Sequence, residues 1–259
     1  MTRALVTGAG KRLGRAMALE LARQGHDVAV HYATSRDAAE DVAEEIRAMG
    51  RKAVTLEADL LDEAQVTPMV VQAAEALGGP ITTLINNASI FDYDNIESAT
   101  RQSWDRHMES NLRAPFVLTQ QMAAQVPAPT QDENGEPVAQ GLVINMIDQR
   151  VHKLTPEFMT YTIAKMGLWA LTRTAAQALA PQVRVNAIGP GPTLQGHRQS
   201  DSHFQSQRRN TILHRGANPQ DITAALVYFL HAPGVTGQLL CVDGGQHLGW
   251  QTPDVLGVE

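Results

Sequence analysis

A single cysteine stands in 259 residues, with only five phenylalanines, four tyrosines and three tryptophans. The lone Cys241 excludes an internal disulfide, and its setting in Leu239-Leu240-Cys241-Val242 marks it as apolar filler rather than a reactive thiol. No run approaches the roughly 18 apolar residues of a membrane span. No basic, apolar leader precedes the strand-like Ala4-Leu5-Val6, so a cytoplasmic location and no membrane partner are expected. Positive charge is not in excess either. The 21 Lys and Arg face 27 Asp and Glu, a net charge of −6, which offers no basic stripe for nucleic acid. His197 and His203 share a segment, but no cysteine or acidic partner stands at ligand spacing, so no metal is expected.

What is present is an alternation of short apolar runs with longer helical patterns. Strands are expected at 3–7, 27–32, 53–58, 81–85, 142–147, 183–188 and 238–242. A helix carrying Leu13, Met17, Leu21 and Ala22 follows the first, and others are expected at about 36–49, 62–77, 102–126, 158–180 and 219–231. Continuous apolar strands between helices imply βαβ units and one α/β domain over 1–259, a doubly wound parallel sheet. Right-handed crossovers put the carboxyl ends of the strands on one rim, where ligands bind. The polar stretch 127–141, broken by prolines and glycines, precedes a strand at its amino end and reads as a surface loop. The segment 192–210 follows a strand on the active rim. It reads as a substrate lid, with an inert excursion as the alternative.

Thr7-Gly8-Ala9-Gly10-Lys11-Arg12-Leu13-Gly14 follows the first strand and opens the first helix. Glycine lets the backbone approach a diphosphate, and a helix start offers free N–H groups and positive dipole. The G-x-G-x-x-G spacing is absent; position, strand before and helix after, carries the reading. The second strand ends His31-Tyr32-Ala33-Thr34-Ser35-Arg36 without the acid that would accept from a ribose 2′-hydroxyl. Lys11, Arg12 and Ser35 suit an extra phosphate instead, which favours NADP(H); Arg36 ranks below Arg12 and Ser35.

Tyr161 and Lys165 share a helical face at i and i+4, and an ammonium near a phenol lowers its pKa. Other polar groups fall on the same rim: Asn86-Asn87-Ala88-Ser89 after the fourth strand, Asp148 after the fifth, and Asn186 to Gly191 at the end of the sixth. Asn111 is either a helix-interior misfit or a group that ties down water near Lys165.

Over nearly its whole length the chain resembles the short-chain dehydrogenase/reductase family. The match is carried by TGAGKRLG at 7–14, Asp59, NNAS at 86–89, Asn111, YTIAK at 161–165, VRVNAIGPG at 183–191 and TGQLLCVDGG at 236–245. The resemblance implies a seven-stranded Rossmann-like sheet and a homotetramer or homodimer. It also implies contacts from Asp59 and Leu60 to adenine, from Asn87 and Ala88 to the cofactor, and from Lys165 to the nicotinamide ribose. Pro190, Gly191, Thr193 and Leu194 would flank the carboxamide. Two departures look like the pteridine reductase branch, with bacterial dihydromonapterin and dihydrofolate reductases. Arg12 replaces the middle glycine of the turn, and Asp148 replaces the usual catalytic serine. The branch also shares His31-Tyr32, Ser35, and a serine-then-aromatic pair supplied by Ser89 and Phe91.

By that resemblance Phe91 would stack on a pterin, Ser89 and Arg12 would contact pterin and cofactor phosphates, and Asp148 with Tyr161 would form the acid side. The expected reaction delivers the pro-S hydride of NADPH to a C=N bond of a small pterin or dihydrofolate-like substrate. An ionised Asp148 close to Tyr161 would raise the phenol pKa and oppose Lys165, so the two are expected to act as a coupled, proton-sharing unit. The rivals are a carbonyl reductase acting on a sugar, steroid or acyl ketone, and a non-catalytic NADP-sensing protein.

Overall fold

The computed structural model describes residues 2–196, 199–252 and 255. His197 and Arg198 of the expected lid, with Pro253, Asp254 and 256–259, lie outside the described residues. The strands are β1 (Arg3–Val6), β2 (Asp27–Tyr32), β3 (Ala53–Glu57), β4 (Thr83–Asn86), β5 (Thr130–Gln131), β6 (Pro137–Val138), β7 (Gly141–Met146), β8 (Val183–Pro190) and β9 (Leu239–Val242). The helices are α1 (Arg12–Arg23), α2 (Arg36–Ala48), α3 (Glu63–Val66), α4 (Met69–Leu77), α5 (Arg101–Met108), α6 (Ala114–Ala123), α7 (Met159–Leu179), α8 (Asp201–Arg209) and α9 (Pro219–His231). Seven strands form one parallel sheet in the order β3-β2-β1-β4-β7-β8-β9. The order reverses between β1 and β4, which opens a crevice at the carboxyl ends of those two strands.

Every residue of β2 and β7 is buried, as a strand covered on both faces must be. Successive side chains alternate between two cores. Val28 and Val30 join α1, α2 and α9 through Met17, Ile46 and Phe229, whereas Ala29 faces the other layer, with Val70, Leu118 and Ala176 of α4, α6 and α7.

The elements depart from expectation where local chemistry intervenes. The helix expected over 62–77 is two, α3 and α4, because Pro68 has no N–H to continue the ladder. The helix expected over 102–126 begins in a capping box of Thr100 and Ser103. It is interrupted by a π-helical turn at Glu109–Arg113 that carries Asn111. The loop expected over 127–141 closes as a small antiparallel hairpin, with Thr130 paired to Val138. The 192–210 segment contains α8, capped by Ser200, whose hydroxyl accepts from the His203 N–H at 3.2 Å.

Candidate active site

The crevice is held shut at its floor by hydrogen bonds between distant strand ends. The Asn87 amide donates to the carbonyls of Thr7 (2.8 Å) and Gly8 (3.2 Å), and Thr7 Oγ1 accepts from the N–H of Asn87 and Ala88. Gly8 has φ of +61°, and its N–H donates to His31 Nδ1 at 3.0 Å. His31 Nε2 lies 3.0 Å from the Ala58 carbonyl, so it is the protonated nitrogen and Nδ1 is the acceptor. Burial pushes the His31 pKa down to about 4, and the ring is neutral. His31 was expected among the cofactor-binding residues; its ring braces the phosphate turn from below. A Cβ at Gly14 would sit 2.1 Å from the Gly8 carbonyl oxygen, so only glycine allows the helix to start this close to the turn.

These residues fit a nicotinamide dinucleotide. No side chain caps α1, and its first turn carries no acid, leaving its N-terminal dipole open to a phosphate. Lys11, Arg12 and Thr34 are exposed beside it, and Ser35 begins α2 with no side-chain cap bond. Arg12, at φ of +55°, donates to the carbonyls of Leu194 (3.0 Å) and Gln195 (2.8 Å), tying the turn to the start of the lid. Glu57 was not anticipated here. The Tyr32 hydroxyl donates to it at 2.9 Å and Arg36 pairs with it, an arrangement between neighbouring strands that the order of residues does not display. Asp59 is exposed, with one oxygen accepting from the Leu61 N–H, and Leu60 is buried. On the other side of the crevice the Gly191 N–H donates to the Val242 carbonyl at 3.0 Å. Pro190 ends β8, and Thr193 is buried with its hydroxyl on the Gly191 carbonyl.

The chemical centre assembles on β7, the loop after it, and α7. The Tyr161 hydroxyl donates to Asp148 Oδ2 at 3.0 Å, while Asp148 Oδ1 accepts from the Arg150 N–H at 2.8 Å. One oxygen thus caps the following turn and the other meets the phenol. Lys165 is 2% exposed; its ammonium donates to the Met146 carbonyl at 2.8 Å and lies 5.7 Å from the centre of the Tyr161 ring. Burial raises the pKa of Asp148 and depresses that of Lys165 to about 8. The Tyr161 phenol is pushed well above its ordinary value, by burial first and by the Asp148 charge second. Of the two opposed influences on the phenol, that of Asp148 prevails over that of Lys165: the carboxylate is in hydrogen-bond contact, whereas the ammonium is engaged elsewhere.

Phe91 closes this centre from the loop after β4. Its ring is stacked on Phe158 (4.3 Å, 11°) and edge-on to Tyr161 (4.6 Å), and it remains 42% exposed. Phe158, at φ of +57°, precedes α7 in a conformation that a side chain adopts only when neighbours impose it. Arg150 lies 5.3 Å from that ring. Ser89 is exposed beside Phe91. Asn111 is fully buried, but its amide makes a two-way clamp on Ile90, accepting from its N–H and donating to its carbonyl, each at 2.8 Å. The Asn111 side chain thereby positions the Ser89–Phe91 loop. Asp94, His107 and Thr160 also support the centre. Asp94 accepts from the Thr160 N–H at 3.0 Å and from its hydroxyl, and His107 Nδ1 lies 2.7 Å from the same hydroxyl. Burial works against the Asp94 charge, yet the Thr160 bonds outweigh it and hold its pKa below the usual value. Contacts spanning 66 residues leave no local signal in the sequence.

Residues 8–247 match the family model described as Enoyl-(Acyl carrier protein) reductase. The chain belongs to the short-chain dehydrogenase/reductase family. The fold is similar to that of FolM alternative dihydrofolate reductase 1 from Brucella suis in complex with NADP, at 42% identity and a TM-score of 0.90 over 98% of each chain. The Brucella canis protein of the same name, complexed with NADP, is 41% identical with a TM-score of 0.89, covering 99% of this chain and 98% of that one. The 3-oxoacyl-[acyl-carrier-protein] reductase FabG of Staphylococcus epidermidis is 32% identical over 250 residues, 95% of this chain and 98% of the relative. Among the described residues this reductase has no helix long and apolar enough to cross a membrane, and no group of three or more His, Cys, Asp or Glu arranged to hold a metal ion.

Proposed function

We propose that this protein reduces a C=N bond of a dihydropterin or dihydrofolate-like substrate with NADPH, the carrying observation being the 3.0 Å contact between Tyr161 and Asp148. It is an NADP(H)-dependent reductase of the pteridine-reductase-like branch of its family, as the NADP-bound Brucella relatives support. When bound, the reduced nicotinamide supplies hydride to the imine carbon. Lys11, Arg12 and Ser35 hold the cofactor phosphates and Lys165 its ribose. As the π electrons of the C=N bond move to nitrogen, that nitrogen takes a proton from the Asp148–Tyr161 pair, which is refilled from solvent. Burial raises the pKa of both groups, so the pair retains a proton to give near neutral pH. The Arg150 N–H fixes Asp148 so that only Oδ2 engages the phenol. Phe91, half exposed above Tyr161, supplies a flat apolar surface for a pterin ring.

A carbonyl reductase is the second reading, favoured by the match to the FabG relative. NADPH oxidation followed with a dihydropterin, a dihydrofolate and a panel of ketones separates the two: turnover confined to the pterins supports the first, and turnover confined to ketones overturns it. Binding of NADPH without any turnover would revive a sensing role, which the Tyr161–Asp148–Lys165 arrangement disfavours. Exposed Ile163 and Met166 on α7, and Leu240 on the edge strand β9, suit assembly into a homotetramer or homodimer, which light scattering measures.

A further inference from the structure

The same rim holds a cavity that the proposed proton transfer does not use. It measures about 240 Å³ and lies between α8 and the loop after Asp148, lined by Lys153, His203, Ser206, Gln207, Asn210 and Gln246. His203, Ser206, Gln207 and Asn210 follow the i, i+3, i+4, i+7 spacing of one helical face. The face that a helix turns toward its own protein is ordinarily apolar, yet every member of this one is polar and no residue of α8 is buried. Within it Gln207 Oε1 accepts from the Gln199 amide at 2.9 Å and the Asn210 amide donates to Ser206 Oγ at 3.2 Å; the His203 ring and the remaining amide groups face a polar occupant or water.

The charges select among polar occupants. No Asp or Glu lines the cavity. The Lys153 ammonium makes one long bond, 3.5 Å to the Gln246 carbonyl, and among the described residues no carboxylate pairs with it. Lys153 follows Asp148 by one 3-10 turn, Gln149–His152, which at ~2 Å per residue sets it about 10 Å along the chain from the proton donor. A cation, an imidazole, three amides and a hydroxyl lining one cavity complement a carboxylate.

We infer that this cavity receives the carboxylate-bearing tail of the substrate, with Lys153 as its ion partner and His203, Gln207, Asn210 and Gln246 as hydrogen-bonding groups. The inference rests on the pterin reading and narrows it to a dihydropterin with an acidic side chain, as in a dihydrofolate, over one with a short hydroxyalkyl chain. Initial rates of NADPH oxidation with 7,8-dihydrofolate and with a dihydropterin lacking carboxylates test it. The comparison uses wild type, Lys153→Met and Lys153→Arg at two salt concentrations. In Lys153→Met the ratio of kcat/KM, acidic over neutral substrate, falls by about 10-fold through KM, and Lys153→Arg restores most of it. Added salt lowers the ratio in wild type and leaves it unchanged in Lys153→Met. An equal ratio in wild type and Lys153→Met overturns the inference while the pterin reading stands. Turnover of neither pterin by wild type overturns both.

Discussion

Taking the pH from 7 to 5 places a proton on His31 in the unfolded chain but not in the fold, and the resulting loss of stability can be worked out. The folded pKa is about 4 against an ordinary 6.5. Both ring nitrogens are engaged, one accepting from Gly8 and the other donating to Ala58. Between those two values the unfolded state binds more protons, so stability is fully present above 6.5 and is lost as pH falls toward 4. At pH 5 the difference amounts to about 2 kcal/mol relative to pH 7, or roughly 4–8 °C in Tm. His26, whose pKa burial also lowers to about 4, adds a parallel loss. His31→Gln isolates the first, because a glutamine keeps one acceptor and one donor but does not titrate. Urea unfolding of wild type and His31→Gln at both pH values should show the variant losing about 2 kcal/mol less on acidification. Equal losses in the two proteins would refute the neutral, doubly bonded imidazole under the phosphate turn.

Gly14→Ala drives a methyl group toward the Gly8 carbonyl and the Asn87 amide; NADPH affinity should fall and unfolding should show a loss of about 1–3 kcal/mol. The Lys165 ammonium is lost as pH rises through about 8, and a protonated Asp148 is lost in the same direction, so kcat is highest on the acid side and declines above about 8. A rate that climbs through that range would contradict the assignment. Phe91→Ala removes the surface stacked on Phe158, and KM for a pterin should rise roughly 3–10-fold, with a smaller change in NADPH affinity.

The doubly wound architecture was legible because β2 and β7, buried on both faces, are short and mostly apolar, with Asp27, His31 and Asn145 as their polar members, and because Gly8 to Gly14 lies between a strand and a helix. That Asp148, Tyr161 and Lys165 gather at the rim was legible as well, since each falls at a strand end or on one helical face there. The net direction of the phenol shift, with Lys165 and Asp148 opposed, was not. It depends on which charge lies closer to the hydroxyl, and i, i+4 spacing leaves that open. Asn111 was found by its pattern, but its clamp on Ile90 was not, because the π turn that aims its amide there has no local signature. Phe158, Glu57 and the Asp94–His107–Thr160 cluster were out of reach for the same reason: each is defined by partners on other elements.

Asp148→Asn tests the centre of the account most directly, because an amide keeps the shape and an acceptor for the phenol but cannot hold a proton for the substrate. NADPH binding, followed by cofactor fluorescence, should be preserved, while single-turnover reduction of a dihydropterin slows by about 10²-fold. Reduction at the wild-type rate would contradict a shared carboxyl–phenol proton as the source for the substrate nitrogen.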